Sequence, residues 1–154
     1  MGFAKDTRVT MADGSWRYIE HIAIGDRIMG DGKILVVTNI LLGRDATLLQ
    51  IQVKSASPIK LSPNSVVMTS TGVKQACEVG CGDALQCEDG RFAIVQEVEA
   101  IKHDDIVYHL GFDQKGLHFA NGIAVGSFEM VQEFRVLRSD TEQPPAKRLP
   151  DGLA

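Results

Sequence analysis

The chain has 154 residues, 44% of them hydrophobic and 23% charged, which is the balance of one globular domain rather than a disordered segment. Its net charge of −4 argues against nucleic acid or an anionic membrane as the main partner. No apolar run approaches the roughly 20 residues of a spanning helix, and the opening MGFAKDTRV is too charged for a secretory signal.

Short β-branched runs separated by turn residues predict an all-β fold. In chain order the predicted strands are Arg8–Met11, Arg27–Met29, Lys33–Leu42, Thr47–Val53, Ile59–Leu61 and Val66–Thr69, then Asp83–Gln86, Arg91–Ala100, Ile106–Phe112, Leu117–Ala120 and Ile123–Val125. Asp13-Gly14, Asp31-Gly32, Asp89-Gly90 and Asn121-Gly122 punctuate them, and such pairs favour the positive φ of tight hairpins. The run SFEMVQEFRVL that follows has β character and predicts an edge strand or a lead into a neighbour. RSDTEQPPAKRLPDGLA is polar and Pro-rich, which predicts a β-domain over 1–137 and a disordered tail over 138–154.

The chain also aligns with itself. Met11 meets Met68, Arg17 meets Lys74, Ile22 meets Val79, Gly25-Asp26 meets Gly82-Asp83, and Ile28 meets Leu85. After a one-residue slip, Asp31-Gly32 meets Asp89-Gly90. ATLLQIQV from Ala46 then meets DIVYHLGF from Asp105, and Ile59–Leu61 meets Leu117–Phe119. Two copies, 9–60 and 66–125, predict a pseudo-two-fold β-fold whose halves interlock, since neither could bury its apolar face alone. In each Gly-Asp pair the glycine suits a conformation that a Cβ disfavours, and Asp26 and Asp83 are expected to bond their own turns rather than to catalyse.

Four stretches in order carry a resemblance to the Hint domain, the hedgehog/intein autoprocessing family. FAKDTRVTMADGSWRYIEHIAIGDRIMG is similar to its N-terminal segment. LSPNSVVMTSTGVKQACEVGCGDAL is similar to the segment built on T-P-x-H-P and G-D-x-L. DDIVYHLGFD resembles its V-Y-D-L strand, and LHFANGIAVGS its C-terminal F-x-A-N-G-x-x-V-H-N. The resemblance implies self-directed chemistry. A leading Cys or Ser attacks the preceding carbonyl, a histidine protonates the leaving amine, and a terminal Asn cyclises with help from the His before it.

The departures fall on those positions. Gly2 stands at the nucleophile, Ser62-Pro63-Asn64-Ser65 at T-P-x-H, and Gly126-Ser127 at the final His-Asn; His109 replaces a common Asp, and Asp6 a common Gly. Gly2 cannot attack, Ser65 cannot titrate near neutrality, and Ser127 cannot form a succinimide. No catalytic position is intact, and Gly2, Ser62, Ser65, His109, Gly126 and Ser127 are expected to converge as an emptied site.

The odd cysteine count (Cys77, Cys81, Cys87) favours a reducing compartment and fits a zinc site poorly; no metal or cofactor is expected. His21 is expected at the surface, and His103 precedes two aspartates in a loop. His109 and His118 read either as a residual acid–base pair or as solvated or hydrogen-bonded strand histidines. A hydrolase built on Ser65, His109 and Asp105 lacks a nucleophile elbow. Phe3 and Trp16 read as core or rim packing.

The expectation is a non-catalytic structural or interaction module of a larger protein. Its partner would be its own flanks or another protein, with neither nucleic acid nor membrane involved. The alternative is an active autoproteolytic domain in which Gly2 takes the place of a native Cys or Ser.

Overall fold

Hairpins set the frame. Asn121 (φ 49°) and Gly122 (φ 80°) form a two-residue turn between paired Ala120 and Ile123, the geometry that matches the natural twist of two antiparallel strands. The computed structural model describes residues 2–134. The predicted tail over 138–154 lies outside them.

The strands are β1 (Phe3–Ala4), β2 (Arg8–Thr10), β3 (Trp16–Tyr18), β4 (Arg27–Met29), β5 (Ile34–Arg44), β6 (Thr47–Val53) and β7 (Ile59–Leu61). They continue with β8 (Val66–Thr69), β9 (Gly72–Gln75), β10 (Ala84–Gln86), β11 (Phe92–Lys102), β12 (Ile106–Phe112), β13 (Leu117–Ala120) and β14 (Ile123–Gly126). Neighbours run β3-β2-β13-β14-β8-β10-β11-β6-β7-β1-β12-β5-β4, with β9 on β8. Beside the ends of that path, a bridge from Met11 to Ile28 closes the curve.

The long strands exchange partners. β5 pairs with β12, from Ile106 opposite Arg44 to Phe112 opposite Val37, and β11 pairs with β6, from Val95 opposite Val53 to Lys102 opposite Thr47. The core gathers Phe3, Ile28, Leu35, Ile51, Ile59, Leu61, Leu85, Leu110 and Ile123, all fully buried. Burying each such side chain contributes about 1.5–3 kcal/mol. Phe3 lies in this core, whereas Trp16 is half exposed at the rim.

The structure departs from the sequence reading in two ways. β1, β3 and β9 are additional short strands, and 3-10 turns at Ile19–His21 and Ala76–Glu78 follow β3 and β9. The run after β14 is a helix over residues 128–134, not an edge strand. The Ser127 hydroxyl accepts the Met130 N–H at 3.3 Å, which satisfies an otherwise orphaned donor of the first turn. Phe128, Val131 and Phe134 recur every three residues, so a helix gathers them on one side. Val131 is fully buried.

Candidate functional site

Five elements meet at one buried end: β1, the β7–β8 turn, β12, β13, and the junction from β14 into the helix over 128–134. β1 is held between β7 and β12, with Phe3 opposite both Leu61 and Tyr108, which brings Gly2 beside the turn. In that turn Ser65 N–H donates to Ser62 carbonyl at 3.0 Å, with Pro63 fixing the bend. The turn is anchored below by Ala76 N–H on Ser65 carbonyl and Cys77 N–H on Pro63 carbonyl.

Two donors converge on Gly2. Its carbonyl accepts the Ser62 N–H at 2.8 Å and the Ser65 hydroxyl at 3.4 Å. Ser62, Ser65 and Ser127 are all fully buried. The Ser62 hydroxyl donates to Asp45. Burial raises that carboxyl, but the Ser62 hydrogen bond and neighbouring positive charge outweigh it and hold Asp45 below the usual range. With Ser127 engaged as the helix cap, each serine hydroxyl of the cluster has a backbone or carboxylate partner.

Gly2 itself is tightly placed. Its φ is +134°, and a Cβ built there would lie 2.8 Å from the Tyr108 carbonyl oxygen. A side chain at this position therefore requires both a rare backbone conformation and a shift of β12.

His109 on β12 and His118 on β13 line the same end. The Phe3 ring lies edge-on to both, with centroids 6.0 Å from His109 and 6.2 Å from His118. Phe112 packs on His118 at 5.0 Å, and Phe128 of the terminal helix packs on His109 at 5.8 Å. Both histidines are fully buried, and no ring nitrogen of either has a protein hydrogen-bond partner of ordinary geometry. The rings are thus shielded from solvent, contrary to the expectation of solvated strand histidines, and the Gly126 backbone lies beside His109. Burial drives His109 down to about 4, opposed by the nearby Gly126 backbone, and burial together with the His109 ring drives His118 to about 3. Both imidazoles are neutral at physiological pH, so neither is a charged imidazolium acid there.

The remaining candidates lie apart. Asp105 is exposed and accepts the Ile106 N–H at 2.7 Å, so Ser65, His109 and Asp105 form no relay. His21 is exposed, and His103 is half buried in the loop before β12. Cys77 and Cys81 are exposed, and Cys87 is half buried with its thiol pushed up by burial. Among the described residues, no group of three or more His, Cys, Asp or Glu side chains is placed to hold a metal. No helix among them is long and apolar enough to cross a membrane.

The comparisons with known proteins agree on this architecture. The family model for the Hom_end-associated Hint matches residues 2–62. The bacterial intein-like domain from Clostridium thermocellum superposes with a TM-score of 0.73 at 20% identity, covering 82% of this chain and 98% of that one. The chain has the Hint fold.

A DnaB intein from Synechocystis sp. PCC 6803 gives a TM-score of 0.72 at 15% identity, over 82% of this chain and 97% of its own. The gp41-1 intein gives 0.73 at 17%, over 80% and 96%. No curated protein sequence matches the chain.

Sequence reasoning missed three groups at this end of the Hint fold: Asp45, Phe128 and Glu129. Glu129 accepts the Phe112 N–H at 3.3 Å beside the irregular register at Gly111 and Phe112, which ties the helix to β12. The readable signal was Ser127 followed by Glu129, a cap residue with an acid in the first turn.

Proposed function

We propose that this Hint-fold domain has lost autoprocessing and serves as a structural or interaction module of a larger protein. One observation carries the reading. Where the family pattern places its terminal Asn, Ser127 caps a helix whose Phe128 lies on His109 and whose Val131 is buried. The position that would release a chain end instead continues into packed structure.

The chemistry supports the same reading. Gly2 has no nucleophile and little room for one. Each serine hydroxyl already has a partner, and the two imidazoles are neutral and covered. The partner is proposed to be the flanking polypeptide or another protein, with neither nucleic acid nor membrane. The exchange of long strands between the halves supports reading 9–60 and 66–125 as copies of one unit.

The alternative is an active domain in which a native Cys or Ser stands at position 2. It draws on the closeness of the Ser62 N–H and the Ser65 hydroxyl to Gly2, where a nucleophile would stand. The Tyr108 carbonyl opposes it.

The test is to fuse one folded reporter before Gly2 and another after Ala154. Intact mass is then followed at neutral pH with and without dithiothreitol or hydroxylamine. Only the full-length mass is expected. Release of either reporter at a domain junction sinks the proposal.

A further inference from the structure

A groove lies away from the buried end. Six large apolar side chains stand out to solvent among the described residues, and three of them, Trp16, Phe92 and Ile94, line two adjoining cavities. The larger, of about 580 Å³, also has Lys54 and Arg91 in its wall, and the smaller, of about 170 Å³, has Arg8. Glu88 and Gly122 line both, so the cavities meet over the Asn121-Gly122 turn. The larger volume falls within the roughly 300–1,000 Å³ of ligand-binding pockets.

The floor is preformed. Asn121 Oδ1 accepts the Arg8 N–H at 2.8 Å, its Nδ2 donates to the Pro58 carbonyl at 2.9 Å, and Glu88 N–H donates to the Gly122 carbonyl at 2.9 Å. One wall offers backbone. β11 pairs with β10 through Phe92–Ile94 but meets β6 only from Val95 onward, with a single Lys54 N–H on the Ile94 carbonyl between. The β11 edge at Phe92 is therefore open, which is where an extended chain adds.

The charge is unbalanced. Glu88 already accepts the Thr10 hydroxyl at 2.6 Å, and Asp89 accepts the Arg91 N–H at 2.9 Å and pairs with its side chain at 3.8 Å. Lys54 has no ion pair among the described residues. Arg8 lies over the Trp16 ring at 5.1 Å and has no ion pair among the described residues. On a chain of net charge −4, Arg8, Lys54 and Arg91 outnumber Glu88 and Asp89 around this groove, beside the aromatic Trp16 and Phe92, residue types that anchor interfaces.

We propose that the groove binds an extended peptide segment of a partner protein, with acidic side chains alternating with aromatic or aliphatic ones. The proposal rests on the interaction-module reading and gives that module a partner class.

The test is to pan a random short-peptide library on the full chain, then measure the enriched peptides by fluorescence anisotropy beside an oligothymidylate of similar length. Enrichment of Asp or Glu with Phe, Trp or Leu is expected. Phe92→Ser and the pair Lys54→Glu with Arg91→Glu are each expected to weaken binding about tenfold or more. Leu42→Ser, on an exposed site of β5 away from the groove, should leave binding unchanged. Unfolding midpoints check that every variant is folded. The proposal is overturned if nothing enriches, if the enriched peptides are basic, if they bind the charge-reversed variant equally, or if the oligothymidylate binds in preference. Failure here with no reporter release removes the groove and leaves the inactive module. Reporter release with intact peptide binding does the reverse.

Discussion

The two Gly-Asp corners are near-copies in geometry, whereas the histidine-bearing end of the second half has no counterpart in the first. At one corner Gly25 (φ +95°) donates to the Val37 carbonyl at 2.8 Å, and Asp26 Oδ2 takes the Ala23 N–H at 2.9 Å and Arg17 at 2.8 Å. At the other, Gly82 (φ +93°) donates to the Val95 carbonyl at 3.1 Å, and Asp83 Oδ2 takes the Gly80 N–H at 2.9 Å and Lys74 at 3.3 Å. The sequence alignment of the halves sets Gln50 against His109 and Lys60 against His118. Gln50 is half buried, and Lys60 is exposed. The corners therefore carry the frame, and they do so with whatever cation is present. The buried end carries polar groups that folding alone disfavours, because an unpartnered buried nitrogen costs about 1–3 kcal/mol.

The largest break in this comparison should come from acid. The folded-state midpoints of about 4 and 3 lie below the ordinary value near 6.5, so between them the unfolded chain binds more protons. Stability should fall as pH drops from about 6.5 towards 3, by several kcal/mol, since one pH unit of midpoint corresponds to about 1.4 kcal/mol. Urea unfolding across that range checks it. The pair His109→Leu with His118→Leu should flatten the slope, leaving only the carboxylate contribution.

The corners should break next, and equally. Nothing lies within 4 Å of a Cβ at Gly25 or Gly82, so alanine at either meets only the conformational penalty, about 1–2 kcal/mol. A marked inequality in denaturant midpoints between Gly25→Ala and Gly82→Ala would count against a shared role. Ser127→Ala should cost about 1 kcal/mol and raise hydrogen exchange over 128–134 ahead of the sheet. Smallest of all, Arg17→Met and Lys74→Met should each fall within about 0.5 kcal/mol, because both ion pairs are partly exposed.

Much of the frame was legible. β4, β6, β7, β8, β12 and β13 have the bounds that alternation and turn residues predict. β1, β3 and β9, of two to four residues, were not read as strands. The helix over 128–134 was hidden because its aromatic and β-branched residues carry strand propensity, which the Ser127 cap overrides. The burial of the histidines could not be read, because β13 is buried on both faces and the alternation that separates inside from outside disappears. The positions of Gly2, Ser62 and Ser65 were named from motif order, but the Tyr108 carbonyl above Gly2 comes from β12, more than half the chain away.

The central claim is that this end of the Hint fold is closed, with two neutral imidazoles sealed beneath Phe3, Phe112 and Phe128. Ring-proton NMR of the four histidines as a function of pH tests it most directly. The account predicts that the His109 and His118 resonances do not move between about pH 8 and 5. A midpoint near 6.5 for either His109 or His118 would show solvent at the site and contradict the closure.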